Sequence, residues 1–487
     1  MIDTKAIRTK VLDLAFQGKL TDQRVEEGTG EELLFKIQNS RLDHTKSSKA
    51  KKLSVNDTII PPFSIPHNWI WVRFSDLIDL TNGTASRGTS GGVDIPVLRL
   101  ADLSEFNINT RNIRLVKLSD SEYKSHILMR DDLIIIRVNG SKEKVGRAYI
   151  YTDEKEISYC DHLFCGHPYS KLILPEYIML ALSQSDLRKQ IIPLIKTTAG
   201  QNTINQTGLG KVVLPFPSQG EQKRIVRLIN QVFSVLDTID DLQTRYAKDI
   251  DTLKAKLIEN GLQGKLTEQL PEEGTAEELY QQIQAEKQRL VKAKKIKKEQ
   301  PLPPIETKDI PFPIPTNWKW VRLGDITRKI ASGNTPTGGR NSDVYVQSGY
   351  CLFREQNIYN DGIHEEGMVY ITEELLATRE NSTVYAGDIL LNITGGSIGR
   401  CAVVPDSFDR GSVNQHILII RMIDERLRHY IHKVICSQYA QKYINQKAFG
   451  DKGGFSGTRC KMMPIPLPPL EEQKRIVERI DSIYASI

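Results

Sequence analysis

Between Glu221 and Asn260 the apolar residues fall at Ile225, Ile229, Val232, Leu236, Ile239, Leu242, Tyr246, Ile250, Leu253 and Leu257. They lie three or four positions apart with charged and polar residues between them, close to the ~3.5-residue period of a coiled-coil seam. No proline interrupts the run, and Gly261 and Gly264 suit its end. The pattern predicts a helix of roughly 60 Å at 1.5 Å per residue. A second helix is predicted from Thr275, an N-cap with Glu278 three residues on, through a basic tail to about Lys298. The Pro-rich PLPPIETKDIPFPIP (Pro301–Pro315) stops it. Elsewhere the pattern changes to short apolar runs such as DLIIIRV and DILLNI, with Gly-rich turns and modest helices. Those stretches predict compact mixed α+β domains over Val55–Pro217 and Pro304–Pro468.

The pattern also repeats. FQGKLTDQRVEEGTGEEL (Phe16–Leu33) returns as LQGKLTEQLPEEGTAEEL (Leu262–Leu279), and IPHNWIWVRF (Ile65–Phe74) as IPTNWKWVRL (Ile314–Leu323). DDLIIIRVNGSKEKVGR (Asp131–Arg147) has its counterpart in GDILLNITGGSIGR (Gly387–Arg400), and VVLPFPSQGEQKRIV (Val212–Val226) in MPIPLPPLEEQKRIV (Met463–Val477). Four landmarks in the same order make the chain two copies of one unit, and the copies share little between landmarks. All four tryptophans, Trp69, Trp71, Trp318 and Trp320, lie in one phrase and its copy. They read as an aromatic anchor where the chain enters each domain, in preference to a base-stacking platform.

The ends of the chain complete the pattern. Ile476, Ile480, Ile483 and Ile487 align with Ile225, Ile229, Val232 and Leu236, while Ile7 and Val11 align with Leu253 and Leu257. The two terminal helices together rebuild the central one. The fold expected is α+β: two globular mixed α/β domains separated by a long antiparallel helical coiled coil, with a pseudo-twofold internal repeat. Its segments are 1–54 (helical), 55–217 (globular), 218–303 (central helices), 304–468 (globular) and 469–487 (a helix pairing with the central coil).

Composition narrows the function. At 487 residues the chain exceeds a single core. A formal charge of +6 permits a nucleic-acid partner without demanding one. Six cysteines with no C-x-x-C pair fit reduced thiols, and Asp3, Lys5, Arg8, Lys10 and Asp13 break any signal-peptide core, so a cytoplasmic location without a membrane is expected. No catalytic residue is expected. IIPPF (Ile59–Phe63) has Ile where an adenine methyltransferase motif needs Asn, and QGKL at Gln17 and Gln263 has Leu where a P-loop needs Ser or Thr. CDHLFCGH (Cys160–His167) invites a zinc reading, but its spacing is wrong for common fingers and the copy keeps only His416 opposite His162, so no metal is expected.

QGKLT with EEGTAEEL, NW-x-W-VRL, G-D-I-L before a Gly-rich stretch ending in Gly-Arg, and PLPPLEEQKRIV each have a counterpart in the other copy, in the same order over nearly the whole chain. In this the chain resembles the specificity subunits of type I restriction–modification systems. The resemblance implies a non-catalytic DNA-reading scaffold. Two target-recognition domains would each read one half of a split double-stranded DNA target. Helices would hold them apart and dock two methyltransferase subunits, with restriction subunits joining the larger complex. S-adenosylmethionine, ATP and Mg2+ would sit on those partners, and this chain would bind no cofactor. The alternative from another class is a coiled-coil adaptor that binds only proteins.

On this reading, DNA contacts belong where the copies diverge and polar loops occur. In the first copy the candidates are Arg87, Arg137, Asn139, Lys142, Lys144, Thr197, Thr198, Gln201 and Asn202. In the second they are Asn334, Thr335, Arg340, Asn392, Thr394, Ser397, Lys452, Ser456 and Arg459. Coil and partner docking fall to Ile225, Ile229, Val232, Leu236, Ile239, Leu253, Leu257, Ile476, Ile480 and Ile483. The basic run Glu286–Lys298, with its weaker counterpart Arg41, Lys46, Lys49, Lys51 and Lys52, is either a phosphate contact along spacer DNA or a solvated helix end.

Overall fold

The computed structural model describes residues 1–44, 59–86, 88, 92–104, 107–334, 344–448 and 454–487. The protein is mixed helix and sheet, and it divides into two units, Met1–Thr244 and Arg245–Ile487. Among the described residues no helix is long and apolar enough to cross a membrane. Five helices make up the helical frame: α1 (Thr4–Phe16), α2 (Gly30–His44), α3 (Gln219–Leu262), α4 (Ala276–Lys292) and α5 (Leu470–Ser486).

In the first unit, the strand Ile70–Arg73 pairs antiparallel with Val213–Phe216, setting Trp71 opposite Pro215. A two-stranded ribbon leaves each strand an outer edge, which is where a proline without an N–H is tolerated. A four-stranded antiparallel sheet comes next, in the order Ile78–Asn82, Leu163–Pro168, Leu133–Ile136, Ala148–Ile150. Its strand Leu133–Ile136 is apolar throughout because both faces are covered. Leu133 and Ile135 join a core containing Phe16, Trp69, Phe216 and Ile225, while Ile134 and Ile136 join another with Tyr151 and Tyr159.

The second unit repeats the frame. Lys319–Arg322 pairs with Pro464–Leu467, Trp320 standing opposite Pro466. Its four-stranded sheet runs Thr327–Ser332, Ile417–Met422, Ile389–Asn392, Cys401–Val403. Ile389 and Leu391 face one core and Leu390 another, as in the first unit. Outside the frame the units differ. The first carries a three-stranded sheet of Lys196–Thr198, Gln201–Thr203 and Val138–Asn139. The second carries a small hairpin, Ile358–Tyr359 with Gly362–Ile363.

α3 covers the span expected from its periodicity, but the seam is not buried throughout. In the first unit Ile225, Ile229 and Leu236 are buried, Val232 and Ile239 half-buried. Arg8 of α1 pairs there with Asp237 (2.7 Å) and Asp240 (3.1 Å) and lies over the Phe233 ring. In the second unit Leu257 of α3 and Ile476 and Ile480 of α5 are buried, Ile483 is half-buried, and the Tyr484 hydroxyl donates to the Lys254 carbonyl at 2.9 Å. Between these ends Leu242, Tyr246 and Leu253 are exposed (57%, 60% and 41%). Contrary to the expectation from the sequence, α1 buries Leu12, Ala15 and Phe16 in place of Ile7, which is 38% exposed. α4 begins at Thr275 with the expected capping box, Thr275 Oγ1 accepting from Glu278 N–H and Glu278 accepting from Thr275 N–H. It ends at Lys292, short of Lys298: Lys294 adopts φ +56° and the chain closes by hydrogen bonds to Val291 and Leu290.

Candidate nucleic-acid interface

Three of the repeated phrases meet at one buried carboxylate in each unit. Glu221, 1% exposed, accepts from the indole N–H of Trp69 (2.9 Å), the Gln23 amide (2.8 Å) and the Thr21 hydroxyl (2.9 Å). Glu472, 0% exposed, accepts from the Trp318 indole (2.8 Å) and the Thr267 hydroxyl (3.0 Å), with Gln269 on the same indole at 3.1 Å. Arg224 clamps Glu27 in the first unit as Arg475 clamps Glu273 in the second, each through two hydrogen bonds. Gly18 and Gly264, both at φ +68°, leave room for Pro66 and Pro315, whose ring carbons fill the space a Cβ would take. The QGKLT phrase is thus a packing element. Burial raises the Glu472 pKa, against the pull of these donors.

This frame positions the divergent loops. In the first unit the hairpin Lys196–Thr203 turns through Ala199 (φ +49°) and Gly200 (φ +76°), leaving Lys196, Thr197, Thr198 and Gln201 exposed. Asn202 pairs with Asn139 across the sheet, so the segments around 137–144 and 196–203, distant in sequence, form one surface. Arg137 donates through its guanidinium to the Asp161 carbonyl (2.9 Å) and lies over Phe164. Lys142 and Lys144 are exposed beside it in the chain. Asn139 accepts from Ser141 N–H at 2.9 Å, bracing that loop.

The structure corrects two of the candidates. Asn202 is 5% exposed: its amide donates to the Gly140 carbonyl (2.8 Å) and its oxygen accepts from Thr197 (2.7 Å). Asn392 is 0% exposed and donates to the Glu355 carbonyl at 2.8 Å. Both brace loops from inside, each amide N–H donating to a backbone carbonyl of a neighbouring segment.

In the second unit Thr394 bonds the His416 ring (2.7 Å) and bridges to Gly454, joining the Gly-rich stretch to the segment that precedes Ser456. Ser456 caps the short helix Gly457–Lys461, accepting from Arg459 N–H, and the Arg459 guanidinium donates to the Lys447 carbonyl. Ser397 lies half-buried in the turn Gly395–Ser397. Asn334 is exposed, its carbonyl accepting from Arg379 and its side chain from Ser382. Arg87, Thr335, Arg340, Lys452 and the basic positions Lys46, Lys49, Lys51 and Lys52 lie outside the described residues.

The Cys/His stretch divides into two donor groups, Cys160–Asp161–His162 and Asp132–Cys165–His167. In the second, His167 Nδ1 lies 2.6 Å from Asp132 Oδ1, and Cys165 Sγ lies 3.7 Å from His167 Nε2. Burial pushes the Cys165 thiol up, which keeps it protonated. The hydrogen bond to Asp132 raises the His167 pKa. A histidine raised in the fold stabilises fully below its unfolded value of ~6.5, and the contribution is lost as pH rises through the folded value. The first unit is therefore expected to melt at lower temperature as pH climbs from about 6 past the raised value, and Asp132→Asn to flatten that dependence in melting curves across pH. A slope unchanged by the substitution would remove the pair from the account.

Residues 315–487 match the family model described as the type I restriction modification DNA specificity domain. The chain carries a type I restriction–modification specificity domain. The resemblance seen in the repeated phrases is confirmed by this match and by relatives that extend beyond it. The chain is 23% identical to the EcoAI specificity subunit of Escherichia coli over 98% of this chain and 88% of the relative. It is 32% identical to the StySPI specificity subunit of Salmonella potsdam over 40% of this chain and 42% of that one. A solved chain from work on complex assembly and conformational transition of the type I R-M system shares the fold, with a TM-score of 0.60 and 16% identity over 87% of this chain and 92% of that one. Trp318, Glu472 and the Thr394–His416 loop all lie inside the matched specificity domain.

The buried Glu221 and Glu472 were not singled out by sequence reasoning. The signal was present: each opens an EQKRIV phrase that recurs with the tryptophans.

Proposed function

We propose that residues 55–217 and 304–468 are target-recognition domains, each docking on one half of a split DNA sequence, and that the chain does no chemistry of its own. The helices in 1–54, 218–303 and 469–487 would pair as an antiparallel coil that spaces the domains and docks two methyltransferase subunits. Restriction subunits would complete the assembly, in the cytoplasm, with S-adenosylmethionine, ATP and Mg2+ on the partners. One observation carries the reading: the Trp–Glu hubs are the same in both units while the exposed loops around them differ. Two like seats holding unlike surfaces are what a two-part target requires. Lys142, Lys144, Lys196, Thr197, Thr198 and Gln201 are the exposed first-unit groups best suited to phosphates and base edges.

The test is to express the chain with the methyltransferase subunit encoded beside it and map N6-methyladenine across the host genome. A single split motif with fixed spacing is expected. Exchanging Pro304–Pro468 for another specificity subunit's domain should then change one half-site and leave the other intact. A stable complex of the two proteins without new methylation would favour the protein-binding adaptor instead, while changes in both half-sites after the exchange would overturn the assignment of one half-site to each domain.

A further inference from the structure

A cleft of about 940 Å³ opens in the second unit between α4 and the segment that succeeds it. That size falls near the upper end of the ~300–1,000 Å³ typical of small-ligand sites. One wall is apolar: Val291, Leu302, Ile305, Ile310 and the Trp320 ring. Trp320 is fixed by its edge contacts with Phe312 and Tyr439.

The charged lining is uneven. Arg322, 6% exposed, is fully committed, to Asp309 (2.8 Å) and to the carbonyls of Met462 and Pro304. Lys319 is paired with Glu277 at 2.6 Å, and Glu299 with Lys461 at 2.5 Å. Lys287 donates to the Gly324 carbonyl at 2.7 Å beside the half-buried Asp325. That leaves Lys292, Lys297 and Lys298 at the rim, exposed and without an ion-pair partner among the described residues. Three free cations and an apolar and aromatic lining in one cleft make a site that offers both charge and apolar surface.

We propose that this cleft binds a phosphorylated ligand with an aromatic body, of the class of nucleoside di- and triphosphates. The base would lie against Val291 and Trp320, and the phosphates would meet Lys292, Lys297 and Lys298. The cleft draws its cations from the basic run Glu286–Lys298 and adjoins the helix Gly457–Lys461 through the Glu299–Lys461 pair, but its test uses no DNA, so it stands or falls independently of the proposed function.

The full chain is titrated calorimetrically with each of the four ribonucleoside triphosphates, with inorganic pyrophosphate and with the parent nucleosides. Saturable binding of at least one triphosphate is expected, at least tenfold tighter than pyrophosphate or its nucleoside, because both the cations and the apolar lining contribute. The double substitution Lys297→Glu/Lys298→Glu, at exposed positions outside the core, should weaken it at least tenfold. Val291→Trp, which fills apolar space without changing charge, should weaken the triphosphate but not pyrophosphate. No saturable binding would overturn the proposal, as would equal affinity in the charge-reversed variant. So would saturable binding of an acidic peptide in the absence of nucleotide binding, which would make the cleft a protein-docking groove.

Discussion

Trp318→Ala is expected to destabilise the second unit by about 3–5 kcal/mol, the range for truncating a buried large aromatic side chain. Trp318 is 6% exposed and belongs to the core that also holds Leu262, Ile465 and Ile476. The substitution opens a cavity where the helical frame meets the globular part of the unit. It also removes the indole donor from Glu472, whose carboxylate has no access to water at 0% exposure. Trp318→Phe separates the two effects: most of the apolar contact survives, and the expected loss is about 1–3 kcal/mol for stranding a buried polar group. The measurement is hydrogen exchange with chemical denaturation on the full chain, read separately for peptides before and after Thr244. Protection should fall in the second unit and stay unchanged in the first, with Trp69→Ala doing the converse. A loss below about 1 kcal/mol, or one shared equally by both units, would mean the hub is not what seats the domain.

The repeated frame was legible because it obeys local rules. Period 3.5 gave α3, Thr275 and Glu278 gave the start of α4, and the tryptophans marked where the chain enters each domain. Those signals are written in short stretches of sequence. The hub was not legible, because Glu221 sits in a charged phrase that reads as a solvated helix start and becomes buried only when Trp69, Gln23 and Thr21 arrive from elsewhere. The same limit applied to the loops. Asn202 and Asn392 look like base readers in sequence, and only tertiary packing shows their amides spent on the carbonyls of Gly140 and Glu355. The long apolar seam misled in the opposite sense: Leu242 and Tyr246 keep the heptad pattern although neither is covered by the terminal helices. A periodic pattern reports which face can be buried, and the partner decides how far it is.

The exposed stretch of α3 is where the proposed spacing role can be tested most directly. The hydrogen bonds of the N-terminal segment to α3 extend to Gln243, and that of α5 is made at Lys254. Seven residues inserted after Tyr246 therefore interrupt neither set and preserve the phase of the seam, since seven residues make nearly two helical turns. The insertion lengthens the helix by roughly 10 Å at 1.5 Å per residue, equal to about three base pairs at 3.4 Å each. If the helix is the ruler, both half-site sequences persist while the spacer between them grows by about three base pairs. Methylation at the original spacing should fall at least ~100-fold, because one of two half-site engagements is lost where specific contacts together are worth ~10³–10⁷ over non-specific binding. The readout is the N6-methyladenine map of the host genome with and without the insertion. A motif that keeps its original spacer would remove the ruler from α3 and place the spacing in the globular domains themselves. A longer spacer with intact half-sites would show that length and sequence are read by separable parts of the chain.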